Sequence, residues 1–217
     1  MPGTPAPAAR PSSPFKDLKE KFSYALGMSI ASTLKRQAVD VDLSVMERGL
    51  RDGLSGTEPL LSEEEMKAAF AEMQAAVRAR EQARAGENLK AGQAFLEANK
   101  AKPGVVVLPS GLQYKILIAG NGPKPRAVDT VLCNYRGTLI DGTEFDSSYK
   151  RGEPATFPVG RVIRGWSEAL QLMPVGSKWQ LFVPAELAYG ERSPGPEIPA
   201  NSVLVFEIEL LSIQGQH

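Results

Sequence analysis

The spacing of apolar residues changes near residue 104. Before it they recur every three or four positions; after it they alternate. Leu18, Phe22, Ala25, Leu26, Ile30 and Leu34 fall on one face of a helix. A second short helix is expected after Asp42, an N-cap residue, with the stripe Leu43, Met46, Leu50 and Leu54 and an end at Gly56. Ser62-Glu63-Glu64-Glu65 then forms a capping box, in which hydroxyl and carboxylate satisfy each other's backbone amides. The helix it opens meets no proline until Pro103. Run to Asn99, it would be about 55 Å long at 1.5 Å per residue.

That helix is uneven. Met66, Phe70, Met73 and Val77 make an apolar stripe, while Arg78 to Asn88 is almost wholly polar or alanine, so its middle turns are expected to be solvated. Leu89, Phe95 and Leu96 restore an apolar face. Two short helices and half a long one bury too little surface to be comfortable alone. Exposed stripes of this kind imply a partner, and the simplest is a second copy on a two-fold axis. The alternative is that the stripes pack on the rest of the chain.

The second half reads as β. Leu112, Tyr114, Ile116 and Ile118 alternate with Gln113, Lys115 and Leu117; Val131, Cys133 and Tyr135 alternate in a strand expected to end at Gly137. Asp141-Gly142 is a hairpin turn signal. Trp179, Leu181 and Val183 alternate, as do Leu204, Phe206, Ile208 and Leu210, with Glu207 and Glu209 outward. The only helix expected here runs from about Trp166 to Leu172, before Pro174. The fold class is α+β: an antiparallel sheet wrapped on one short helix, which covers it only in part and leaves room for an aromatic-lined groove. The expected organisation is a flexible Pro/Ala-rich leader (1–14), a helical dimerisation module (15–61), a long connecting helix (62–104) and a β-rich domain (105–217).

Composition narrows the chemistry. Acids and bases balance at 25 each, which gives no argument for nucleic acid, and no apolar run suits a membrane span. The one cysteine, Cys133, allows no intramolecular disulfide; this fits a reducing compartment without excluding the periplasm. The one histidine is His217, at the end of the chain, which argues against a Ser-His-Asp triad, a Cys-His pair or a multi-histidine zinc site. The leader has no apolar signal-peptide core. It reads as a tether following a removed signal or lipoprotein sequence, or as the disordered start of a cytosolic protein.

Six blocks carry a more specific signal. They are Asn134-Tyr135-Arg136-Gly137-Thr138-Leu139, Asp141-Gly142-Thr143-Glu144-Phe145-Asp146-Ser147-Ser148, Val162-Ile163-Arg164-Gly165-Trp166, Leu187-Ala188-Tyr189-Gly190, Ile198-Pro199-Ala200-Asn201 and Leu204-Val205-Phe206-Glu207-Ile208-Glu209-Leu210. In order and spacing they resemble the signature of the FKBP family of peptidyl-prolyl cis–trans isomerases. The helical first half and the Pro154-Ala155-Thr156-Phe157 segment resemble the Mip-like bacterial branch, whose members are typically V-shaped homodimers joined through their N-terminal helices.

The resemblance implies a site and an activity. Trp166 would form the floor of a proline pocket, with Tyr135, Phe145, Val162 and Phe206 as walls and Phe157 contributing to the lining. The Ile163 amide and the Tyr189 hydroxyl would bind peptide carbonyls. Asp146 would stand at the rim, held by Tyr135 and Arg151, and Ile198 would come from a loop over the pocket. Ala155 stands where many single-domain relatives carry another aromatic. Taken singly, Trp166 reads as core and Asp146 as a turn residue; together the blocks favour the functional reading for Tyr135, Asp146, Trp166 and Tyr189, while Cys133 reads as packing. The implied activity is X-Pro isomerisation in the folding of exported or envelope proteins, with binding of FK506- or rapamycin-type macrolides and no cofactor or metal. The implied place is the periplasm or outer-membrane surface, with the cytoplasm as alternative. A dimeric holdase chaperone or binding module, with catalysis secondary, is the second reading.

Overall fold

The computed structural model describes residues 14–37 and 39–214. The expectations for the leader up to residue 13 and for His217 fall outside the described residues. Contacts divide the chain into two compact units between Val77 and Arg78.

In the first unit, local chemistry sets the helix ends. Helix α1 (Leu18–Arg36) starts where the Asp17 carboxylate accepts the Glu20 amide at 2.9 Å. Helix α2 (Leu43–Ser55) is capped by Asp42, which accepts from the Ser44 and Val45 amides, and ends on Gly56 at φ 72°. Helix α3 (Glu63–Lys100) opens on the expected box: Ser62 Oγ accepts the Glu65 amide at 3.2 Å, and the Glu65 carboxylate accepts the Ser62 amide at 2.8 Å. No residue of α1 or α2 is buried. Leu54 is 89% exposed and Phe70 73%, so this unit encloses no core of its own.

The second unit holds the rest of α3 and a seven-stranded antiparallel sheet. Its strands are β1 (Val105–Val107), β2 (Gln113–Ile118), β3 (Thr130–Leu139), β4 (Glu144–Ser147), β5 (Ala155–Pro158), β6 (Lys178–Val183) and β7 (Leu204–Gln214). They run in the order β1-β2-β6-β7-β3-β4, with β5 also paired to β3. Helix α5 (Arg164–Leu170) lays Ala169 and Leu170 against a core that includes Val131, Cys133, Leu181, Ile208 and Leu210. The inward residues of β3, β6 and β7 are those the alternation marked.

Strand β3 organises the sheet. One of its edges pairs with β7 from Thr130 to Leu139; the other pairs first with β5 (Thr130 to Cys133) and then with β4 (Arg136 to Thr138). Asn134 and Tyr135 lie in the gap. There the buried Ser148 hydroxyl takes the place of a strand: its Oγ accepts the Tyr135 amide at 2.9 Å and lies 3.2 Å from Asn134 Oδ1. The gap satisfies its backbone without closing the sheet.

Four expectations need correction. Strand β3 continues past Gly137 to Leu139, because the turn at Asp141-Gly142 returns it directly into β4: Leu139 donates to the Thr143 carbonyl and Gly142 to the Leu139 carbonyl. Helix α5 is not the only helix here; α4 (Ser148–Arg151) is a single turn, too short to show a period. The polar stretch of α3 is not solvated throughout, since Ala85 and Asn88 are half-buried and bonded to residues 200 and 201. In β2 it is Gln113 that is buried, exchanging amide bonds with Asn99 and the Leu96 carbonyl, while Ile116 and Ile118 stay exposed.

Candidate active site

A cleft of about 490 Å³ opens over α5, lined by residues of β3, β4, β5 and β7 and by the segments 161–166 and 189–198. Trp166 is its packed centre and only 4% exposed. Tyr135, Phe157 and Phe206 each meet the indole nearly edge-on, with centroids 5.3, 5.3 and 5.1 Å away. Phe145 meets Phe206 the same way at 5.6 Å. The indole N–H finds no acceptor among the described residues, so packing alone holds the ring.

Gly137 makes this arrangement possible. A Cβ there would lie 2.6 Å from Phe145 Cε2 and 2.8 Å from Phe206 Cε1. The two rings therefore close over the strand through space that any other residue would fill.

One edge of the cleft is polar. The Tyr135 hydroxyl donates to Asp146 Oδ2 at 2.5 Å. Arg151 bridges them, donating from Nη1 to Asp146 Oδ1 at 2.5 Å and from Nη2 to the Tyr135 oxygen at 2.6 Å. Burial pushes the Asp146 carboxyl up, but the bonds from Tyr135 and Arg151 outweigh it and hold the group below its ordinary value. Burial first, and then the bond to Asp146, pushes the Tyr135 phenol up. Its bonds to Tyr135 and Asp146 raise Arg151 further.

The sequence-marked residues Tyr135, Phe145, Asp146, Phe157, Val162, Ile163, Trp166, Tyr189, Ile198 and Phe206 all line this cleft. Arg151 does not; it stands behind Asp146. Ala155 is also absent from the lining, so no aromatic wall rises at that position. The Ile163 amide and the Tyr189 hydroxyl have no hydrogen-bond partner among the described residues.

The model of the FKBP-type peptidyl-prolyl cis-trans isomerase domain matches residues 122–211, and that of the domain amino terminal to it matches residues 19–116. Outer membrane protein MIP of Legionella longbeachae is 52% identical over 200 residues, covering 90% of this chain and 86% of that protein. The chain belongs to the FKBP-type peptidyl-prolyl cis–trans isomerases. The isomerase is also 41% identical to peptidyl-prolyl cis-trans isomerase Mip of Coxiella burnetii, over 98% of this chain and 93% of that one. The crystal structure of FkpA from Escherichia coli matches it with a TM-score of 0.68 at 38% identity, covering 92% of this chain and 98% of the other.

The cleft suits the chemistry of an FKBP. Amide resonance sets the roughly 18–20 kcal/mol barrier to rotation about the X-Pro bond. Twisting removes that resonance and leaves a less polar group, so a dry aromatic site favours the twisted amide over the planar one. Free donors at the edge add stabilisation where a carbonyl rotates. Macrolide binding is a general property of the family.

Four lining residues escaped the sequence reading: Arg161, Pro194, Gly195 and Glu197. Arg161 adjoins Val162, and the others lie between Tyr189 and Ile198. The span was already bracketed at both ends, but no motif distinguishes these positions within it.

Proposed function

We propose that this isomerase turns X-Pro bonds of exported or envelope proteins in the Trp166 cleft. The prolyl ring sits on Trp166, between Tyr135, Phe145, Val162 and Phe206, with Phe157 behind. The Ile163 amide and the Tyr189 hydroxyl receive peptide carbonyls, Asp146 sets the polar rim, and Ile198 covers the ring. The observation that carries this reading is the closed set of edge-on aromatics around one buried indole, beside two donors that no described residue uses. A protease-free, proline-limited refolding assay with the full chain tests it. Trp166→Leu should lower kcat/KM at least about tenfold while costing about 2–4 kcal/mol of stability. Unchanged catalysis in a folded variant would remove Trp166 from the site.

One relative is named an outer membrane protein, and among the described residues no helix is long and apolar enough to cross a membrane. An envelope location predicts that cell fractionation finds the protein outside the cytoplasm; recovery only from cytosol would favour cytoplasmic clients.

The exposed stripes of α1, α2 and the start of α3 favour a homodimer joined through these helices. A dimer places two clefts on one client and raises their effective concentration. The same apolar surface supports the second reading, a chaperone that holds unfolded chains with catalysis secondary. Suppression of client aggregation by a Trp166→Leu protein that no longer isomerises would favour that reading.

A further inference from the structure

The segment from Tyr189 to Ile198, which carries one donor and much of the lid of the cleft, turns back at Asn201, three residues before β7. Its two ends are tied there: the Asn201 amide donates to the Gly190 carbonyl at 2.7 Å. Asn201 takes φ 59°, the left-handed region that asparagine tolerates better than most residues. A turn-spaced face of α3 receives this knot. Asn88 Nδ2 donates to the Ala200 carbonyl at 3.0 Å, and Asn201 Nδ2 donates back to the Ala85 carbonyl at 3.3 Å. One turn further on, Gly92 lets the helix press on Val203, where a Cβ would come within 2.7 Å of Val203 Cγ2.

We infer that Asn88 and Asn201 are positioning residues for the isomerase reaction: their reciprocal amide clasp fixes the loop of Tyr189 and Ile198 over the bound proline. The inference rests on the reading of the Trp166 cleft as the substrate site. The physical argument is one of preorganisation. Without the clasp the loop is held at its base only by neighbours in the chain, through Asn201–Gly190 and Gly190–Ala185; pinned also to a helix, it carries its donor to the peptide at lower entropic cost. The clasp touches no substrate, so its loss weakens binding more than it slows rotation of a bound peptide.

Full-chain variants test this. Asn88→Asp keeps the shape but removes the donor, and Asn201→Gly keeps the left-handed backbone but removes the side chain. Each should raise KM for a proline tetrapeptide about three- to tenfold, the worth of one hydrogen bond, with kcat within about twofold. Amide exchange should quicken over residues 190–201 and stay unchanged in β3. The half-exposed rim variant Asp146→Ala is the control for the cleft. If it lowers kcat/KM while both clasp variants leave KM and loop exchange unchanged, the clasp inference fails alone. Should Asp146→Ala also leave peptide kinetics untouched, the cleft reading and the clasp fail together. Quickened exchange throughout the sheet, with kcat and KM changing together, would mean that the clasp merely stabilises the fold.

Discussion

Tyr135 and Asp146 share one short hydrogen bond, 2.5 Å from phenol to carboxylate, and Arg151 grips both of its ends. The carboxyl is lowered and the phenol raised, so neither changes charge at neutral pH. Isomerase activity should therefore stay flat from about pH 5 to about pH 9 as far as this trio governs it. The Asp146 carboxyl is lower in the folded state than in the unfolded one. Its contribution to stability is complete above the unfolded value, near pH 4, and is lost as pH falls through the folded value. Acid unfolding followed by circular dichroism should show that Asp146→Asn loses this component. Tyr135 has the opposite sign: its contribution is present below about pH 10 and is lost as pH rises through the raised folded value. An activity profile with a steep step near neutrality would show that another group controls the site.

Gly137 offers a probe of the aromatic wall that removes no ring. Gly137→Ala places a methyl against Phe145 and Phe206 at less than van der Waals separation. Overpacking of this kind costs about 1–3 kcal/mol, and here the strain falls on two lining rings. Macrolide affinity by titration calorimetry should fall along with the thermal midpoint.

The exposed faces of the first unit make a separate prediction. Leu54→Glu combined with Phe70→Glu adds charge at positions 89% and 73% exposed in the single chain. Neither position packs on the sheet domain, so its near-UV circular dichroism should hardly move, whereas the helical signal of the first unit should fall if the dimer supplies its packing. The proposed homodimer should then sediment as a monomer. Dimers that persist in the double variant would place the contact elsewhere.

Cys133 predicts silence. It is fully buried in β3, and burial pushes its thiol up to about 12. Thiol reagents should not modify the native protein and should react within minutes in denaturant. Cys133→Ser should cost about 1–3 kcal/mol, since the hydroxyl needs a partner in an apolar site.

The sequence showed most clearly what depends on neighbours along the chain. Asp42, Ser62, Glu65 and Gly56 act on their own or adjacent turns, and both ends of α2 and the start of α3 fall where these residues put them. The alternation of β3, β6 and β7 was equally legible because one face of each is buried. Asn88 and Gln113 read as solvent-facing, because their partners lie 112 residues away at Ala200 and 14 to 17 away at Asn99 and Leu96. Ser148 carries no signal of its own in the sequence, because its role depends on where two other strands stop. The aromatics of the cleft could be named from motif order, but the edge-on packing around Trp166 and the trio at Tyr135 depend on tertiary geometry.

The interruption beside Asn134 and Tyr135 also bears on how this architecture diversifies. Strands β4 and β5 are joined by the short stretch 148–154, which spans the part of β3 that neither strand pairs. None of these residues lines the cleft, but Ser148 and Arg151 hold the Tyr135 amide and hydroxyl, so a change in the length of this connection would act on the polar rim rather than on the indole. The polar rim can therefore drift through changes in loop length, independently of the indole and the phenylalanine rings packed on it.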